Sequence, residues 1–157
     1  EKSFGINKTI GDLAGPMAFA ILMGSSRAFY GKFGDKINLE RFMQYSAVLC
    51  MVSYLMIAFI PVPALGILGC AVCGLSVGIM WPGTFSMAAA SVKRGGTALF
   101  ALLALAGDVG CSSGPTYVGM ISGALNDNLK LGIFAALIFP VLMIMGIKMI
   151  GSLRKYD

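Results

Sequence analysis

An all-α membrane bundle of about five transmembrane helices is the fold this sequence predicts, and three observations predict it. Of 157 residues, 57% are hydrophobic and 12% charged, with a mean hydropathy of +0.84; soluble domains average roughly 45–50% and about 25%. The apolar residues come in runs of about twenty, enough to cross a hydrocarbon core of about 30 Å at about 1.5 Å per helical residue. The charges are bunched between those runs, and the 21 glycines suit membrane helices better than soluble ones. The whole chain, 1–157, reads as a single transmembrane domain.

Taken in order, the spans are 11–30, 42–60, 64–91, 97–123 and 131–150. The third and fourth exceed the minimum length, so they are expected to tilt, kink or project into the headgroups. Between the spans lie GKFGDKINLER, the tight turn IPVPA, SVKRGG and LNDNLK, flanked by SFGINKTIGD at the start and GSLRKYD at the end. These connections alternate sides. One set holds Lys32, Lys36, Arg41, Lys93, Arg94, Lys148, Arg154 and Lys155, and the other only Lys2, Lys8 and Lys130. The positive-inside bias therefore predicts a multi-pass protein of the cell membrane with a cytoplasmic C-terminus. The chain opens on Glu1 with no signal segment, and five spans with an outward N-terminus fit a transporter whose earlier helices are absent. A fragment lacking its N-terminal half is the expectation.

The net charge of +5 reports topology, since the basic residues sit in short connections; nucleic acid is not an expected partner. Cys50, Cys70, Cys73 and Cys111 all fall in apolar runs and read as buried free thiols. With no histidine in the chain, no Cys/His zinc spacing can be drawn, so neither a metal nor another cofactor is expected. No phosphate-binding G-x-x-x-x-G-K-S/T loop is present. An enzyme is not expected, and no catalytic residue is assigned.

Asp108 is the acidic residue that falls inside a span. It follows Thr97 by eleven residues, roughly 16 Å into the bilayer, where an ionised carboxylate costs on the order of 2.5–3.5 kcal/mol. It must be protonated, paired or solvated in a polar cavity. The functional reading is that Asp108 faces a transport pathway and binds solute or a proton; the plainer one is an inter-helix hydrogen bond. Cys111, Ser112 and Pro115 share its helical face, and Pro115, which cannot donate to the carbonyl of Cys111, is expected to kink the helix there. Ser112 therefore joins Asp108 as a candidate contact. The third span is interrupted at SVGIMWPGTFSM, where Pro82 frees the carbonyl of Gly78. Discontinuous helices often carry binding sites in secondary transporters. Trp81 and Thr84 flank this break as candidate solute contacts, with a packed Trp81 at an ordinary kink as the alternative. The pairs Gly74/Gly78, Gly110/Gly114 and Gly119/Gly123 have the spacing that lets helices approach closely.

The loop Gly31-Lys32-Phe33-Gly34-Asp35-Lys36, preceded by Arg27 and followed by Arg41, resembles the signature loop of the major facilitator superfamily, G-x-x-x-D-R/K-x-G-R/K-R/K. Gly31, Asp35 and Lys36 match. Asn38 stands where glycine is expected, and Leu39 and Glu40 where basic residues are, which suits the weaker second copy of that loop. The resemblance implies that the five spans are helices eight to twelve of the family's fold. It also implies that Asp35 is the acceptor in a cytoplasmic gate, with Arg27, Lys36 or Arg41 as its partner. The plainer reading is a turn carrying positive-inside charge. GIMWPGTFSMA and LAGDVGCSSGP resemble the tenth and eleventh helices of the branch that includes fucose permease.

The expected function is thus part of a secondary transporter, a symporter moving a small polar solute such as a sugar by alternating access with proton coupling. Its expected partners are the lipid bilayer, the solute and the N-terminal half of the same transporter. Two rivals stand beside it: a noncatalytic membrane subunit or inactive truncated remnant, and a lipid-modifying enzyme, which the lack of histidine disfavours.

Overall fold

A computed structural model describes residues 8–92 and 95–153 of the chain, with side chains between residues 13 and 152 apart from 35, 63, 93 and 94. Seven α-helices and one short 3-10 turn make up the described residues, and no strand occurs among them. They are α1 (Lys8–Phe33), the turn Gly34–Lys36, α2 (Leu39–Phe59), α3 (Pro63–Val77), α4 (Met80–Ser91), α5 (Gly96–Ala124), α6 (Leu129–Ala135) and α7 (Ile138–Leu153).

Among the described residues, four helical stretches are long and apolar enough to cross a membrane: Leu39–Phe59, Ala64–Ser91, Gly96–Ala124 and Leu129–Ser152. They match the last four spans read from the sequence to within a few residues. The second joins α3 to α4 and the fourth joins α6 to α7, each with a break inside. The first expected span forms a helix of ample length, 26 residues, yet falls outside the four. Its apolar run stops at Met23, and Gly24, Ser25, Ser26 and Arg27 follow within the same helix.

Local chemistry sets the ends of these helices. Asn38, in extended conformation, caps α2 by accepting from the Arg41 amide at 3.2 Å, so the residue that departs from the family's loop pattern has a job of its own. Pro63 opens α3 at its first position, where its missing N–H costs nothing. Asn126 and Asp127 both take left-handed backbone, with φ of 57° and 56°; these residue types tolerate that region, and they reverse the chain between α5 and α6. Asn128 then caps α6 by accepting from the Lys130 amide.

The core lies along α2, which touches α3, α4, α6 and α7, while α1 packs on α3 and α5 packs on α6. The buried side of α2 is Met43, Ser46, Ala47, Cys50, Ser53 and Ala58, a run of mostly small side chains at helical spacing that admits close neighbours. Ser53 and Ser76 are fully enclosed, and each hydroxyl donates to a carbonyl one turn back in its own helix, Cys50 at 2.8 Å and Cys73 at 2.7 Å. Their polarity is thereby satisfied without a partner helix.

One of the three glycine pairs does the expected packing inside the chain. A methyl group on Gly74 would strike the Phe19 backbone, and one on Gly78 would come within 2.8 Å of the Met23 carbonyl, so α1 lies directly on this face of α3. Gly110, Gly114, Gly119 and Gly123 meet nothing within 4 Å. Of the thiols, Cys50 and Cys73 are buried and Cys70 half-buried, as expected for apolar runs, but Cys111 is exposed. The difference arises because α5 has so few neighbours here: of its 29 residues, Ser122 alone is buried.

Candidate functional site

Asp108 sits twelve residues into the 29-residue α5, about 18 Å along its axis and close to its midpoint. Its side chain is exposed, and it shares a shallow depression of about 600 Å³ with Val109, Ser112, Ser113, Thr116 and Tyr117. Every residue lining that depression belongs to α5. It is therefore one polar face of one helix, lacking an opposite wall among the described residues. Two of the hydroxyls on this face are already engaged: Ser112 donates to the Asp108 carbonyl at 2.9 Å and Thr116 to the Ser112 carbonyl at 2.8 Å. The Asp108 carboxylate is the acidic group of this face, and neither of these two hydroxyls donates to it.

Trp81 approaches α5 from α4. Its ring lies over Gly107, where any added side chain would collide with it, so Asp108 follows immediately after the contact. Trp81 also meets Phe85 at a centroid distance of 4.7 Å, and Phe85 stacks on Phe100 at 5.8 Å, forming an aromatic seam between α4 and α5. The Trp81 ring is thus packed against a helix yet remains 47% exposed. Thr84 is half-buried and donates to the Met80 carbonyl at 2.7 Å. The structure brings Asp108 and Ser112 onto one face. Trp81 reaches the backbone beside them without lining the depression, and Thr84 stands apart on α4.

The break between α3 and α4 falls at Gly78 and Ile79, as Pro82 predicts. The freed Gly78 carbonyl accepts from Nε of Arg27 at 3.0 Å, a contact across 51 residues of sequence. Arg27, expected as a gate partner, thus spends one donor on the broken helix. The other gate residues are placed as follows: Gly31 is in the exposed last turn of α1, Lys36 ends the 3-10 turn and is exposed, and Arg41 is exposed in the first turn of α2. The Asp35 side chain lies outside the described residues, as do Lys93, Arg94, Arg154 and Lys155, which carried part of the orientation argument.

Two features escaped the sequence reading. A groove of about 500 Å³ runs between α1 and α2 over Leu75 of α3, lined by Ser25, Ser26, Phe29, Phe42, Tyr45 and Ser46 among others. The Ser-Ser pair inside an apolar helix was its available signal. The second is Pro140, which breaks the last span: the Ala136 carbonyl, deprived of its usual donor, accepts from the Phe139 amide at 3.1 Å instead.

The family model of the Major Facilitator Superfamily matches residues 1–115. The chain belongs to the major facilitator superfamily. No curated protein matches it, and no solved structure does. The match runs from before α1 through Pro115, so it takes in the loop around Asp35, the Pro82 break, Trp81 and Asp108. A major facilitator protein is a membrane transporter, and this accounts for the apolar helices and for a lipid bilayer and a small solute as partners.

Proposed function

We propose that this chain is the C-terminal part of a secondary transporter that carries a small polar solute past Asp108 by alternating access. The observation that carries the reading is the carboxylate itself, at mid-span on an exposed polar face where Ser112 and Thr116 donate to backbone carbonyls and not to it. Facing hydrocarbon, an ionised Asp108 would cost about 2.5–3.5 kcal/mol. Facing a second helical half across a polar pathway, it has water, solute or a proton to meet. The other half of the same transporter supplies the missing wall, and Ser112 and Trp81 border the path, with Thr84 on the neighbouring helix. A sugar is the favoured solute class, because Trp81 offers an aromatic face beside the carboxylate; the resemblance of the Trp81 and Asp108 stretches to the fucose-permease branch points the same way. Asp35, with Lys36 or Arg41, forms the cytoplasmic gate on this reading, and the C-terminus lies in the cytoplasm.

Uptake by the full-length transporter in proteoliposomes tests this, screening sugars and other polar solutes with and without a proton gradient. Asp108→Asn is expected to abolish gradient-driven uptake. Unchanged uptake with unchanged pH dependence removes Asp108 from the pathway. For the gate, paired cysteines across the cytoplasmic side should crosslink less in Asp35→Asn; equal crosslinking counts against that role.

A further inference from the structure

Two spans carry a proline break, and they satisfy the orphaned carbonyl in different ways. In the last span, the chain tightens locally and the Phe139 amide takes the Ala136 carbonyl at 3.1 Å, a 3-10 type repair that needs no other helix. In the Ala64–Ser91 span, the Gly78 carbonyl is instead taken by a charged side chain of another helix, Nε of Arg27, at 3.0 Å. The donor is well matched to the place. Gly78 closes α3, whose C-terminal carbonyls carry partial negative charge that favours a cation, and a hydrogen bond from a charged donor is stronger than a neutral one.

Either side of this bond, the packing is close. Gly74 and Gly78 seat α3 on the α1 backbone at Phe19 and Met23 and on the Ser26 side chain, so Arg27 comes directly after the contact. Beyond the break, Trp81 lies on Gly107, next to Asp108. We propose that Arg27 is a positioning residue: it replaces the backbone donor that Pro82 removes, fixes the angle between α3 and α4, and so holds Trp81 against α5 beside the carboxylate. The consequence for transport rests on the function proposed above, but the clamp itself is testable without any solute.

The test is a double-mutant cycle on the protein in lipid nanodiscs, read by amide hydrogen exchange of peptides covering residues 79–85. Arg27→Met keeps an apolar stem and removes the donors; Pro82→Ala restores an amide that reaches the Gly78 carbonyl within the helix. Arg27→Met is expected to raise exchange across the break about tenfold, the factor equivalent to ~1.4 kcal/mol. The same substitution made in the Pro82→Ala protein should leave exchange within about twofold of Pro82→Ala alone. An equal rise in both backgrounds overturns the proposal, since Arg27 would then act through general packing of α1. No rise with Pro82 present overturns it too. Arg27→Lys, which keeps a charged donor, should lie closer to wild type than Arg27→Met, and equality of the two refutes the donor role. Should Arg27→Met fail to fold, recovery of folded protein in the Pro82→Ala background is the expected result, and continued failure overturns the clamp. None of these readings uses uptake, so they stand or fall separately from the Asp108 assay.

Discussion

Replacing Gly74 by alanine is the sharpest test of how this bundle is held together. A Cβ at that position would lie 2.8 Å from both the carbonyl carbon and the Cα of Phe19, and closer still to its carbonyl oxygen. Ordinary contact begins near 3.4 Å, so α1 would have to retreat by more than about 0.6 Å, the carbonyl oxygen being the nearest obstacle, because backbone cannot rotate away. Overpacking of this kind costs about 1–3 kcal/mol, against which alanine returns at most about 1 kcal/mol of helix propensity. The expected net loss is thus up to about 2 kcal/mol when the full propensity gain is returned. Gly110→Ala meets nothing within 4 Å and keeps only the propensity gain. Thermal unfolding of both variants in the same detergent should therefore lower the midpoint for Gly74→Ala and leave it unchanged or raised for Gly110→Ala. A Gly74→Ala protein as stable as wild type, with Gly110→Ala destabilised, would refute the packing reasoning.

Three further outcomes follow from particular contacts. Asn38→Ala removes the cap of α2 and should cost about 1 kcal/mol, seen as faster amide exchange confined to the first turn after residue 38. Gly107→Val should push the Trp81 ring off α5 and shift the emission of the one tryptophan in this sequence, with stronger quenching by acrylamide; an unaltered spectrum contradicts the contact. Cys111 should react with N-ethylmaleimide well before Cys50 and Cys73, which are buried, as read by mass spectrometry of the labelled peptides.

How much of this was legible beforehand depended on whether the cause was local. Helix positions were, because an apolar run of about twenty residues must cross a bilayer as a helix wherever it is placed. The break at Gly78 was too, since Pro82 alone dictates it. The donor that repairs the break was not: Arg27 lies 51 residues away, and its placement depends on the seating of α1 against Gly74. The glycine pairs show the same limit. Gly74/Gly78 and Gly110/Gly114 have identical spacing, yet among the described residues only the first receives a helix of this chain, and spacing carries no information about which face finds a neighbour. Apolar surroundings predict a buried Cys111, and it is exposed because α5 is nearly without neighbours among the described residues. Asp108 was recognisable by depth alone; that its face would stand open was not.

That open face also decides which of its residues matters most. Hydroxyls on a helix can donate to a carbonyl one turn back, and both Ser112 and Thr116 do so, much as Ser53 and Ser76 do in the sealed interface of α2 with α3. Such a serine makes no demand on its surroundings, so its presence opposite lipid, helix or solute costs little. A carboxylate has no equivalent refuge within its own helix, and its cost at mid-span falls wholly on whatever stands opposite. Ser112→Ala should therefore change stability by no more than about 0.5 kcal/mol and leave most uptake intact, whereas Asp108→Asn abolishes gradient-driven uptake. Measured side by side in the same vesicles, equal losses for the two variants would mean that Ser112 turns from its carbonyl to bind solute, and that the polar face acts as a unit and not through its carboxylate.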